Sequence, residues 1–106
     1  MSRIAIPFLE RWRESMSQGI KTCTSRTKCY GQLGDIFVVF DATFWLGKVE
    51  KMKLEDVATT LFREEGCHSP EEFIKVWEEL HPRKGWDGGQ KVWVHHFSTM
   101  SRKFNG

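Results

Sequence analysis

Gly19-Ile20-Lys21-Thr22-Cys23-Thr24-Ser25-Arg26 is the stretch around which the rest of the chain is organised. It is short and rich in Thr, and it begins at a glycine, so it reads as an extended segment entered from a helix end. Side chains of an extended segment alternate between faces. Thr22, Thr24 and Arg26 therefore share one face, Cys23 and Ser25 tend to the other, and strict alternation sets Lys21 opposite Thr24. A kink at Gly19 would be needed to turn Lys21 toward Thr24. Arg26 brings a planar fork suited to phosphate or carboxylate. Lys21 brings a point charge whose pKa falls on desolvation, which would make it a base. Taken alone, such a Lys and Arg on one strand are also what an ordinary charged surface looks like.

Upstream, residues 9–17 read as a helix, with Leu9, Trp12 and Met16 at spacings of three and four and Gly19 just past the end. Residues 4–8 read as a short strand. Downstream, residues 30–35 carry two glycines and form a turn. Residues 36–40 are a continuous β-branched and aromatic run, which predicts a strand buried on both faces. Asp41 begins a bend, and residues 44–52 predict a strand with a bulge at Gly47.

Residues 55–65 predict a helix with Val57, Leu61 and Phe62 on one face, stopped by Gly66. Ser69-Pro70-Glu71-Glu72 is a helix start: Ser69 caps, Pro70 fits the first helical position and Glu72 completes a capping box. Phe73, Ile74, Val76, Trp77 and Leu80 then recur with helical period until His81-Pro82. Residues 83–90, with three glycines, are a loop. Residues 91–97 are the closing strand, Val92 and Val94 alternating against Trp93 and His95, and residues 98–106 read as a loose tail. The element order predicts a single α+β domain spanning residues 1–106.

At 106 residues the chain has room for one modest core, and 40% apolar with 13% aromatic content is globular. No apolar run is long enough to span a membrane, and the N-terminal apolar stretch is too short for a secretory signal, so the expected location is cytoplasmic. Cys23, Cys29 and Cys67 form no paired-cysteine motif, and His68, His81, His95 and His96 fit no tetrahedral spacing. No disulfide framework, metal or cofactor is therefore expected. The net charge of +2 is too mild to imply a nucleic-acid partner. Its distribution says more: the first third is basic, the middle acidic, and Arg83, Lys84, Arg102 and Lys103 form a second basic group, which suggests one positive face. Trp12, Trp77 and Trp93 sit at periodic positions and read as core. Trp86, in the glycine-rich loop, is equally open to base stacking and to plain exposure. Cys23 reads as a packed thiol.

Gly19-x-Lys21-x-x-x-x-Arg26 resembles the signature of the ASCH domain, a member of the PUA-like superfamily. Phe8 and Arg11 before the first helix, Gly34-Asp35 opening a strand, the acidic helix pair carrying Phe73 and Trp77, and the closing Val92-Trp93-Val94 all fall in that family's order. The resemblance runs to about Phe97. It implies a small, partly closed mixed β-barrel flanked by about three helices, with a basic cleft along residues 21–26. It implies RNA or a modified nucleoside as partner, contacted through Lys21, Thr22, Arg26 and Trp86, with Thr24 hydrogen-bonding the ligand. Some small members are amidohydrolases that remove the acyl group from N4-acylated cytidine through a Thr, a Lys and a Glu. Carried onto this chain, these are Thr24, Lys21 and Glu65, with Glu64 as the competing carboxylate. The chain departs from the family pattern at Ser25, where an apolar residue is usual, at the longer loop of residues 85–89, and at His95 and His96.

Overall fold

The computed structural model describes residues 1–100, and in it the stretch past Gly19 becomes β1 (Cys23–Arg26). Three further strands follow: β2 (Ile36–Val39), β3 (Ala42–Lys53) and β4 (Lys91–Thr99). They form one antiparallel sheet in the order β1-β4-β3-β2. β2 and β3 are joined by Phe40-Asp41, whose φ values of 54° and 62° make a type I′ hairpin turn that matches the twist of the strands. The β3–β4 register slips between Leu46 and Lys48, so Gly47 is the bulge its position predicted. A bulge bends the strand that carries it. The sheet curls into a half-barrel, giving the expected α+β class.

Three expectations about the strands are corrected. Residues 4–8 are not a strand: only Arg3 bridges Ile36, in parallel, and the mixed character of the sheet rests on that single bridge. Pro7 has no N–H to continue a ladder, and the segment instead places Ile4, Ile6 and Phe8 against the core. β2 is an edge strand rather than a strand buried on both faces, with Phe37 buried and Val38 46% exposed. β4 continues through Ser98 and Thr99, which the sequence had assigned to the tail, because β3 is long enough to pair them through Trp45 and Phe44. Met100 still donates its N–H to the Thr43 carbonyl, and the remainder of the expected tail, residues 101–106, lies outside the described residues.

A 3-10 turn (Glu10–Trp12) leads into α1 (Arg13–Ser17), and Met16 is its buried anchor. α2 (Leu54–Thr60) ends earlier than the predicted residue 65; the chain then passes through turns to Gly66, at φ +95°. α3 (Pro70–Leu80) begins as expected, with Ser69 Oγ accepting from the Glu72 N–H. The Glu72 carboxylate accepts from the N–H of His68 rather than that of Ser69, so the return half of the cap lands one residue early. No helix among the described residues is long and apolar enough to cross a membrane.

Both faces of the sheet are covered. Leu54, Val57, Phe73 and Trp77 from α2 and α3 pack on Cys23, Val92 and Val94. On the opposite face Ile6 and Met16 pack with Phe37, Phe44, Leu46 and Phe97. The alternation along β4 thus serves two cores, which is why His95 is fully buried although it points away from Val92 and Val94.

Candidate functional site

β1 lies at the edge of the sheet opposite β2, with β4 on one side only. Its approach is set by α1: after Gly19, at φ +73°, the N–H groups of Ile20 and Lys21 both return to the Ser15 carbonyl. The other side of the segment is met by the turns after α2, where the Glu64 carbonyl accepts from the N–H groups of Thr22 and Cys23. That contact brings Glu65 against the side of β1 that carries Lys21, Cys23 and Ser25.

The result is a buried polar chain. Lys21 Nζ donates to the Cys23 carbonyl at 2.9 Å, the Glu65 carbonyl at 2.8 Å and Glu65 Oε1 at 3.3 Å. All three ammonium protons have an acceptor, and the charge also lies 4.5 Å from the centre of the Trp12 ring. Ser25 Oγ donates to Glu65 Oε2 at 2.5 Å. Lys21, Ser25 and Glu65 are all buried. A buried charge is tolerated only when paired and hydrogen-bonded, and here both conditions are met.

Thr24 and Arg26 occupy the other face, as alternation requires. Arg26 Nε donates to Thr24 Oγ1 at 3.0 Å, and Nη2 donates to the Pro7 carbonyl at 2.6 Å. The guanidinium lies against Phe8 and Tyr30, 4.9 and 5.5 Å from the ring centres. Burial draws its pKa below the ordinary arginine value, yet a guanidinium stays charged at neutral pH. Among the described residues no carboxylate pairs with it within salt-bridge distance. The Lys21–Glu65 pair is neutral as a unit, so Arg26 is the uncompensated charge of this region.

Behind Thr24 sits His95. Its Nδ1 donates to the Thr24 carbonyl at 3.2 Å and its Nε2 accepts from the Tyr30 N–H at 3.0 Å. This fixes the neutral tautomer with the proton on Nδ1. Burial lowers the His95 pKa, and the nearby Arg26 charge acts in the same direction.

Apart from His95, these groups line a cavity of about 400 Å³ beside β1, which residues from both faces of the strand reach. Lys21, Thr24, Ser25, Arg26 and Glu65 form its polar side, and Phe8, Trp12, Tyr30 and Trp77 are among its aromatic walls. Cys67 also lines it, but burial pushes that thiol up to about 11; Cys23, buried beside it, is raised well above the ordinary thiol value, chiefly by desolvation. Neither is a thiolate at neutral pH.

The sequence-derived residues divide cleanly. Lys21, Thr24, Arg26 and Glu65 line one cavity. Glu64 is exposed and contributes its backbone carbonyl. Thr22 holds Glu64 and Phe97 through its backbone and does not line the cavity, and Trp86 packs edge-on against the lining residue Phe73 without lining the cavity itself. Among the hydrogen bonds of the described residues none joins Lys21 to Thr24. The hydroxyl that meets the carboxylate is Ser25, which the sequence reading treated only as a packing anomaly. Its position four residues after Lys21, on the same face of an extended segment, was the available signal. His95 carried no comparable signal, because its partners lie in β1 and in the loop before β2.

No family model matches the sequence, and no curated protein matches it at a significant level. The likeness lies in the fold. An ASCH domain from Lactobacillus crispatus JV V101 superposes with a TM-score of 0.69 at 14% identity, covering 92% of this chain and 78% of that one. The hypothetical protein PH0355 superposes with a TM-score of 0.68 at 15% identity, covering 93% and 96%. Protein EF3133 from Enterococcus faecalis V583 gives 0.62 at 20% identity, covering 85% and 70%. At such identities the comparison speaks to fold, and the fold is that of an ASCH domain.

Proposed function

We propose, for a chain with the fold of an ASCH domain, that the cavity beside β1 takes a single modified nucleoside rather than a length of RNA strand. The observation that carries this reading is the cavity itself. At about 400 Å³ it lies in the range of small-molecule sites. Its aromatic walls suit a planar heterocycle. Its polar side offers the Thr24 hydroxyl and the Arg26 guanidinium to a carbonyl or anionic group. A groove tracking phosphates needs several free cations, whereas Lys21 is neutralised by Glu65. Three free cysteines suit a reducing compartment, and the cytoplasm is the location we propose.

The test is a titration of cytidine, N4-acetylcytidine and a short single-stranded RNA, followed by the fluorescence of cavity-lining Trp12 and Trp77, at two salt concentrations. Saturable binding of a nucleoside with little salt dependence is expected. Binding confined to the RNA, with affinity falling steeply as salt rises, would return the cleft to the RNA-binding class.

A second reading is favoured by one specific feature, the buried chain of hydroxyl, carboxylate and ammonium on the cavity's polar side. Such a chain can cleave an acyl amide, so the cavity would hydrolyse N4-acylated cytidine. Release of cytidine from N4-acetylcytidine, followed by chromatography, is the direct measurement.

A further inference from the structure

Besides Lys21, the nucleophile-bearing side chains that line the cavity or lie buried beside it are Cys23, Cys67, Thr24, Ser25, Thr27 and Tyr30, and among the described residues neither the Thr27 nor the Tyr30 hydroxyl donates to a carboxylate. Burial keeps both thiols protonated. The hydroxyls differ in what they touch. Thr24 Oγ1 accepts from a guanidinium, and among the described residues no acceptor takes its proton. Ser25 Oγ donates its proton to Glu65 Oε2. A hydroxyl becomes a useful nucleophile when a base within hydrogen-bond reach removes that proton and a third group holds the base in place. Lys21 is that third group here. Its ammonium has the Glu65 carboxylate among its three acceptors, and giving up a proton to serve as base would leave one of them without a donor.

We infer that Ser25 is the cavity's nucleophile toward acyl-type electrophiles, with Glu65 as its base and Lys21 as the positioning cation, and that Thr24 is a ligand contact. The assignment rests on the hydrolytic reading of the cavity. With an N-acyl substrate, Ser25 Oγ forms a bond to the carbonyl carbon while its proton moves to Glu65 Oε2. The tetrahedral adduct collapses, the C–N bond breaks, and the proton on Glu65 passes to the departing amine nitrogen. An ester on Ser25 remains. Water then attacks the ester carbon and gives a proton to Glu65, and the C–O bond to Ser25 breaks. Ser25 Oγ recovers that proton, and the carboxylic acid leaves. Lys21 stays protonated throughout, and no oxidant or further reactant is needed.

Intact protein is treated with a fluorophosphonate, which labels activated hydroxyls independently of the natural substrate. Ser25 Oγ forms a bond to phosphorus, the P–F bond breaks, and fluoride leaves with the proton that Glu65 had taken. The adduct is located by fragmentation of the tryptic peptide Thr22-Cys23-Thr24-Ser25-Arg26, and N4-acetylcytidine turnover is measured in parallel. An adduct on Ser25 is expected, and it needs no variant that could fail to fold. Glu65→Gln should slow labelling roughly 100-fold, the lower end of a general base's contribution. Ser25→Thr, which keeps a hydroxyl, should still be labelled, whereas Ser25→Ala should not. An adduct on Thr24, or none at all, overturns the assignment. If turnover persists in that case, the hydrolytic reading survives without it. If Ser25 is labelled and N4-acetylcytidine stays intact, the nucleophile stands and the substrate class is wrong.

Discussion

Lys21 reaches Glu65, 44 residues away, through two bonds from one nitrogen: to the backbone carbonyl at 2.8 Å and to the carboxylate at 3.3 Å. The side chain thereby fixes both the position of the turn after α2 and the orientation of the carboxylate. Structure and chemistry share this contact, so its loss should register in both.

Lys21→Met leaves a carboxylate buried without its cation. Removing one member of a buried pair costs about 3–5 kcal/mol. The double variant Lys21→Met with Glu65→Gln should recover at least about 1 kcal/mol of that, because contacting residues are not additive. Urea unfolding of the two single variants and the double variant measures the coupling. Strict additivity would mean that the pair does not act as a unit.

Arg26→Lys keeps the charge but removes the planar fork, which Thr24, Pro7, Phe8 and Tyr30 hold from several sides. Affinity for the nucleoside should fall by about 1.5–3 kcal/mol, the range for hydrogen bonds to a charged group. Unaltered affinity in a calorimetric titration would remove Arg26 from the ligand's contacts.

His95 gives the fold a pH dependence. Its folded-state pKa lies below the ordinary 6.5, because burial, helped by the Arg26 charge, disfavours the charged ring, and the hydrogen bond to the Thr24 carbonyl only partly opposes this. Below 6.5 the unfolded chain therefore binds the proton more readily than the folded one. The stability contributed by neutral His95 is fully present above 6.5 and is lost as the pH falls toward the lower folded-state value. Thermal melts at pH 7.5 and 5.5 should show a drop, and His95→Asn should flatten it. An equal drop in that variant would place the acid sensitivity elsewhere.

Gly66 is the hinge that lets Glu65 face Lys21. At φ +95° a side chain is strained, and a Cβ there would come within 2.9 Å of the Trp12 ring and 3.3 Å of Lys21 Cβ. Gly66→Ala should cost about 1–3 kcal/mol, as residues held in rarely populated backbone regions do. It should also shift the Trp12 fluorescence, since the ring must move. A melt and an emission spectrum indistinguishable from those of the unmodified chain would show that this turn relaxes freely.

The cap at Ser69-Pro70, the bulge at Gly47 and the alternation along β4 were legible in the sequence because each depends on residues within a few positions of one another. Lys21, Arg26 and Thr24 were legible as a group for the same reason, and alternation correctly separated Lys21 from Thr24. The edge position of β2 was not legible, since an apolar run of four residues looks alike at the edge or the centre of a sheet. The early end of α2 was hidden as well: the helical period continues to Leu61 and Phe62 while the backbone has already entered a turn.

By itself, then, the sequence determined most of the elements and their order, the strand expected at residues 4–8 excepted, because hydrogen bonds and steric limits within a segment set them. Tertiary structure alone decided which carboxylate and which hydroxyl meet. Glu65 rather than Glu64 turns inward because the Glu64 carbonyl is drawn to the N–H groups of Thr22 and Cys23. Ser25 rather than Thr24 receives the carboxylate because the turn after α2 packs on that face of β1. Both faces open onto one cavity because β1 pairs with β4 alone and no second strand covers its outer edge, which the turn after α2 meets only at Thr22 and Cys23. Strand order arises from pairing between residues some seventy positions apart, and no local pattern records it.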